Sequence, residues 1–279
     1  MKKLALFFAV IGGLILSDVP KANADLLITP LRAVFQDRER STIVTLINTG
    51  DKTNTYRIGW KLLKMKEGIG GYEPVETFTD SDGNNLAADK MVRFSPRQVT
   101  IEPQGRQRIR LSLRRPGDLA DGEYRAHLTF TRLAKIPQNT GADENIRGQQ
   151  MMLHANIAFS IPVIVRHGNI QAAAVLGNPE FMVPPPNAGD QRTLLMVDIK
   201  SASKFSSYGR LRAYWKKPNG KEEQVGILNN IAVFPEVDVR RVGIPMEKPR
   251  LNGGSVRIVY EGMDEYSGVI FDEEIFEVR

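Results

Sequence analysis

The chain is 279 residues long, 42% hydrophobic and 25% charged, with a formal net charge of +6. It has no cysteine, which excludes a disulfide framework, thiol chemistry and a cysteine-linked lipid anchor together. The mild positive charge is a weak argument for nucleic acid and fits an acidic partner surface equally well.

Residues 1–24 read as a secretory signal. Lys2 and Lys3 form a positive start, residues 4–16 an apolar run, and Ala22-Asn23-Ala24 a small-x-small cleavage site. The expected mature chain begins at Asp25. The run is shorter than the ~20 apolar residues a membrane span needs, and no later segment is as apolar, so no membrane insertion is expected. Without Lys2, Lys3, Lys21 and Asp18, the 38 basic and 32 acidic residues fall to 35 and 31, and the charge to +4.

From there the pattern is of strands. Residues 43–47 are apolar and β-branched, and a turn follows at 48–51. Tyr56, Ile58 and Trp60 alternate onto one face. Residues 64–90 are rich in Gly, Asp and Asn, and 80–85 read as an exposed loop. A short strand at 91–96 closes on Pro96, and 102–105 is a turn. Residues 106–113 alternate cleanly, with Ile109, Leu111 and Leu113 on one face and Arg106, Arg108 and Arg110 on the other. Seven arginines fall between Arg93 and Arg115. With neither exposed aromatics nor a groove-filling helix beside them, they read as the solvated face of a strand, not as a nucleic-acid site. Asp121-Gly122-Glu123-Tyr124 suggests the tyrosine corner of an immunoglobulin-like sandwich.

After a polar loop at 134–149 comes the strongest strand pattern, 151–166. Met151, Leu153, Ala155, Ile157, Phe159, Ile161 and Val163 share one face; Met152, His154, Asn156, Ala158 and Ser160 share the other. Such a strand would run about 45–50 Å, longer than a small sandwich sheet needs, leaving surface for a partner. The pattern breaks at 166–169. The expected division is therefore 25–166 and 167–279, two domains after the 1–24 signal. The second half shows strands at 194–199, 210–215, 256–260 and 269–278, with turns at 184–189 and 218–220. Many short strands with frequent turn signals give an all-β chain of two sandwich domains.

Chemistry is sparse. His127, His154 and His167 have no metal spacing, and without cysteine few zinc sites could be built. His127 and His154 read as surface or satisfied structural residues. There is no nucleophile-elbow Gly-x-Ser-x-Gly and no phosphate-cradling loop. The neighbouring acids Asp264-Glu265 and Asp272-Glu273-Glu274 point to opposite sides of their segments, unsuited to paired acid/base work. No catalytic residue, metal site or cofactor is expected.

Several segments taken in order resemble PapD-like periplasmic pilus chaperones: Leu31-Arg32-Ala33-Val34-Phe35, Ser41 with Leu46 and Asn48, Tyr56 to Trp60, Phe94-Ser-Pro96 through Ile109-Arg110, Asp121-Gly-Glu-Tyr-Arg125, and Ile161-Pro-Val-Ile-Val-Arg166. The match spans about residues 26–170. The resemblance implies two immunoglobulin-like β-sandwiches in a boomerang arrangement, in the periplasm. It implies donor-strand complementation of pilus or fimbrial subunits, with delivery to an outer-membrane usher. By position, Met151, Leu153, Ala155, Ile157 and Phe159 would fill the subunit groove. Arg32, on the first strand, would anchor the subunit's C-terminal carboxylate in the inter-domain cleft, and Glu123 and Arg166 would form the inter-domain ion pair. One departure is Pro162, where the family usually places a cleft Lys. A bare donor edge also makes self-association of the free protein plausible. The alternative reading is a secreted structural or adhesive component of a surface fibre.

Overall fold

The computed structural model describes residues 25–36, 38–80, 83–133, 157–169, 171–185, 192–218 and 220–278. It is all-β. Among the described residues the helical content is one 3-10 turn, Asp264–Tyr266, and no helix is long and apolar enough to cross a membrane.

The first domain is built from β1 (Leu26–Thr29), β2 (Ala33–Phe35), β3 (Ser41–Asn48), β4 (Asn54–Lys61), a hairpin of β5 (Leu63–Met65) and β6 (Tyr72–Pro74), β7 (Val92–Ser95), β8 (Gln98–Ile101), β9 (Arg106–Leu113), β10 (Gly122–Arg132) and β11 (Ala158–His167). One sheet runs β1-β3-β9-β7 and the facing sheet β2-β11-β10-β4-β8. The alternation in β9 is realised in full: Ile109, Leu111 and Leu113 are buried, and the arginines between them are exposed. They meet Val44, Leu46, Tyr56, Leu128, Phe130, Ile161 and Val163 in one core. The Tyr124 hydroxyl donates to the Ala120 carbonyl at 2.8 Å, tying the corner before β10. At the start of the glycine-rich stretch, where no strand was expected, β5 and β6 pair as a hairpin.

The second domain holds β12 (Ala174–Met182), β13 (Leu194–Ser201), β14 (Ser207–Lys216), β15 (Glu222–Val233), β16 (Val239–Pro245), β17 (Ser255–Gly262) and β18 (Ile270–Glu277). Its sheets run β12-β13-β16 and β15-β14-β17-β18. Gly209 is required in β14: a Cβ there would lie 2.0 Å from the Glu261 carbonyl oxygen. The two cores are not confined to their own halves of the chain. Met65 of β5 and Ile164 of β11 are buried in the second core, with Val34 packed against it. Residues 161, 163 and 165 of β11 therefore face the first core, while Ile164 faces the second.

Candidate functional site

Among the described residues β11 is paired along its length on one side only. It matches β10 from Ala158 to His167, whereas β2 covers its other side at 163–165 alone. The Ile157 carbonyl accepts the Arg132 N–H at 3.0 Å. Antiparallel alternation then aims the backbone groups of Phe159 and Ile161 at β10, and those of Ala158, Ser160 and Pro162 at the uncovered side. Proline is tolerated at 162 because its missing N–H would have faced outward. The result is a short open edge that offers the N–H groups of Ala158 and Ser160. Such an edge is a template for another strand.

Of the residues expected to fill a partner's groove, Ile157 is 53% exposed. Phe159 is half-buried against the first core. Met151, Leu153 and Ala155 lie outside the described residues.

Arg32 lies at the mouth of this edge. It is not on the first strand, as expected, but between β1 and β2. Since Ala33 pairs with Val163, Arg32 stands one step back, level with Pro162. Its side chain is buried, and its guanidinium lies over the Tyr208 ring, 4.0 Å from the centroid. It donates to Glu265 Oε1 at 2.5 Å. Glu265, on the 3-10 turn of the second domain, takes a second bond from Arg166 Nη1 at 2.9 Å.

Glu123 and Arg166 are cross-strand partners within the first domain, joined at 3.1 Å. Their reach into the second domain comes through Ser206 and Glu265. The Ser206 N–H and Oγ donate to Glu123 Oε2 at 3.0 and 2.7 Å, and Arg166 Nη2 donates to the Ser206 carbonyl and Oγ at 3.2 Å. The Tyr266 hydroxyl donates to the same carbonyl at 2.8 Å. Burial works against the Arg166 charge, but Glu123, and after it Tyr266 and Glu265, more than offset this, so its proton is held more tightly than usual.

A second cluster stands further along β10. Arg125 makes a two-point bond to Glu236, with Nη1 3.2 Å from Oε2 and Nη2 on Oε1. Its guanidinium lies 3.6 Å from the Phe234 centroid. The Met65 N–H also donates to Glu236, at 3.1 Å. Between the domains a cleft of about 670 Å³ is lined by Asp121, Glu123, Arg125, Lys204, Glu236 and Asp238 among others.

His127 differs from its sequence reading. It is neither on the surface nor satisfied: it is 2% exposed, and among the described residues neither ring nitrogen has a hydrogen-bond partner. Its ring packs against Tyr72 at 5.2 Å. Burial, and then the neighbouring Arg125 charge, push its pKa down to about 3. Sequence reasoning also passed over Glu265, Glu236, Arg125 and Ser206 as a group. Glu265 was weighed only as half of an acid pair and Arg125 only as the end of the 121–125 segment, and no local pattern marks Glu236 or Ser206.

No family model and no curated protein matches the sequence. Among solved structures, the fold is similar to the YadV chaperone, at 11% identity and a TM-score of 0.44 over 91% of this chain and 100% of that one. It is also similar to the CsuC–CsuE chaperone–tip adhesion subunit pre-assembly complex of Acinetobacter baumannii, at 14% identity and 0.41 over 90% and 97%. The Salmonella enterica SafA pilin in complex with the SafB chaperone matches at 12% identity and 0.42 over 91% and 96%.

Proposed function

We propose that the chain is a periplasmic chaperone that holds pilus-type subunits by lending them the open edge of β11. The observation that carries this reading is the edge itself, uncovered before β2 begins, with a buried arginine at the point where it ends. A subunit strand laid along 157–161 would bond to the free N–H and C=O groups there, and Ile157 and Phe159 would enter its groove. Its terminal carboxylate would then reach Arg32, whose planar fork suits a carboxylate. Arg32 already bonds to Glu265, so the incoming carboxylate exchanges with an internal one. Glu123, Arg166 and Ser206 hold the two domains in register around that exchange.

The test is co-purification from the periplasm of the native host, read by mass spectrometry. Wild type should bring down small secreted β-rich subunits. Ile157→Asp, at an exposed position, should keep its melting temperature and lose them. Equal capture by both proteins would remove β11 from the reading. Capture of none would leave the fold alone and favour a structural fibre protein.

A further inference from the structure

The first domain has a second exposed surface that this role does not use: the outer face of the β1-β3-β9-β7 sheet. Side chains at alternate positions of β9 project there, Arg106, Arg108 and Arg110, with Arg114 continuing the row past the strand end. Arg93 joins them from β7, in register with Ser112. Residues on one side of a strand recur about every 6.6–6.8 Å, so these guanidinium groups form a dense patch. None of the four strands contains an acidic residue. Among the described residues none of these five arginines makes an ion pair or a side-chain hydrogen bond. At one end of the sheet Arg38, Arg40 and Arg114 line a cavity of about 600 Å³. The nearby Glu39 carboxylate is turned to the Gln36 N–H.

The second domain handles its arginines differently. Arg257 pairs with Glu222 and Glu273, Arg210 and Arg212 share Glu261, and Arg241 bonds Glu180 and Asp198.

We infer that this face docks on an anionic phospholipid surface, its arginines engaging the phosphate groups. Every cation in the patch is arginine, whose fork matches phosphate in two-point fashion, as it also matches carboxylate. Two observations favour lipid over an acidic protein. The outward positions carry no aromatic side chain, the usual anchor of a protein interface. On the same face stand exposed apolar side chains, Ile43 of β3 in register with Arg110 and Leu27 of β1 in register with Ile47, suited to the headgroup boundary. The open β11 edge belongs to the opposite sheet, so docking leaves it free.

The test is co-sedimentation with vesicles, using the chain from Asp25, because the apolar 1–24 segment would itself partition. That chain holds every described strand. Binding is expected to phosphatidylcholine vesicles containing 30% phosphatidylglycerol and not to phosphatidylcholine alone, and it should weaken steeply with salt. Each arginine near the surface contributes about fivefold, so replacing Arg106, Arg108 and Arg110 with Thr should lower partitioning about a hundredfold. Circular dichroism checks that this variant is folded, and Arg93→Thr with Arg114→Thr gives an independent second one. Equal binding to both vesicle types overturns the inference, as does unchanged binding by a folded triple variant. If wild type ignores both vesicles but binds polyglutamate through these arginines, the face reads an acidic protein and the lipid assignment falls. Subunit capture by the same variants stays at the wild-type level, so this result is separable from the chaperone reading.

Discussion

Two buried residues give sharp predictions because their surroundings are incomplete. Arg32 has a bonded terminal nitrogen but a buried Nε with no partner among the described residues. If it anchors a carboxylate, Arg32→Ala should lower subunit affinity at least tenfold, about the 1.5–3 kcal/mol of a charged hydrogen bond. The variant should melt as a folded protein in calorimetry; loss of the folded state would make Arg32 structural instead. His127 is held neutral in the folded chain down to about pH 3, whereas in the unfolded chain it takes a proton near its usual value of about 6.5. The unfolded state therefore binds more protons between those values. Stability should fall as pH drops through that window, by about 1.4 kcal/mol per pH unit at most. His127→Leu removes the titration and two unpartnered nitrogens. Denaturant melts at pH 7 and pH 4.5 should show a smaller drop for the variant; an equal drop would place the pH sensitivity elsewhere.

At the scale of the element, β11 separates two kinds of backbone group. The Ser160 N–H points to the open side and the Ile161 N–H to β10. Ser160→Pro should therefore fold, as Pro162 does beside it, yet lose subunit binding because strand addition loses a donor. Ile161→Pro should unfold the domain, since it breaks the central pairing and disturbs a core residue. Far-UV circular dichroism and the co-purification assay together read both. Full subunit capture by folded Ser160→Pro would argue that the edge is not the binding strand. The alternation at 157–163 was legible in the sequence. The uncovered side was not, because it depends on β2 returning only as far as residues 163–165.

At the scale of the whole molecule, the domains are joined by buried charge rather than by apolar surface alone. Arg125 and Glu236 are both nearly inaccessible, and their bond crosses the interface. Removing one partner strands the other, at a cost of about 3–5 kcal/mol. Glu236→Ala should lower the melting temperature of the joined unit and split one calorimetric transition into two. A single unshifted transition would show that Arg166, Glu123, Ser206 and Glu265 suffice to couple the domains.

The all-β class, the division into two sandwiches, the β9 alternation and the Tyr124 corner follow from patterns only a few residues long, because a period of two and a turn are local properties of the chain. The sequence by itself also singled out Arg32, Glu123, Arg166, Ile157 and Phe159, through the resemblance of ordered segments. Only the tertiary structure decided what those residues meet. Glu265 is 233 residues from Arg32, and Ser206 is 83 from Glu123. Such partners are fixed by how two sandwiches pack, and no local pattern carries that information. The same holds for His127, whose burial depends on Tyr72 of a hairpin that the glycine-rich stretch concealed.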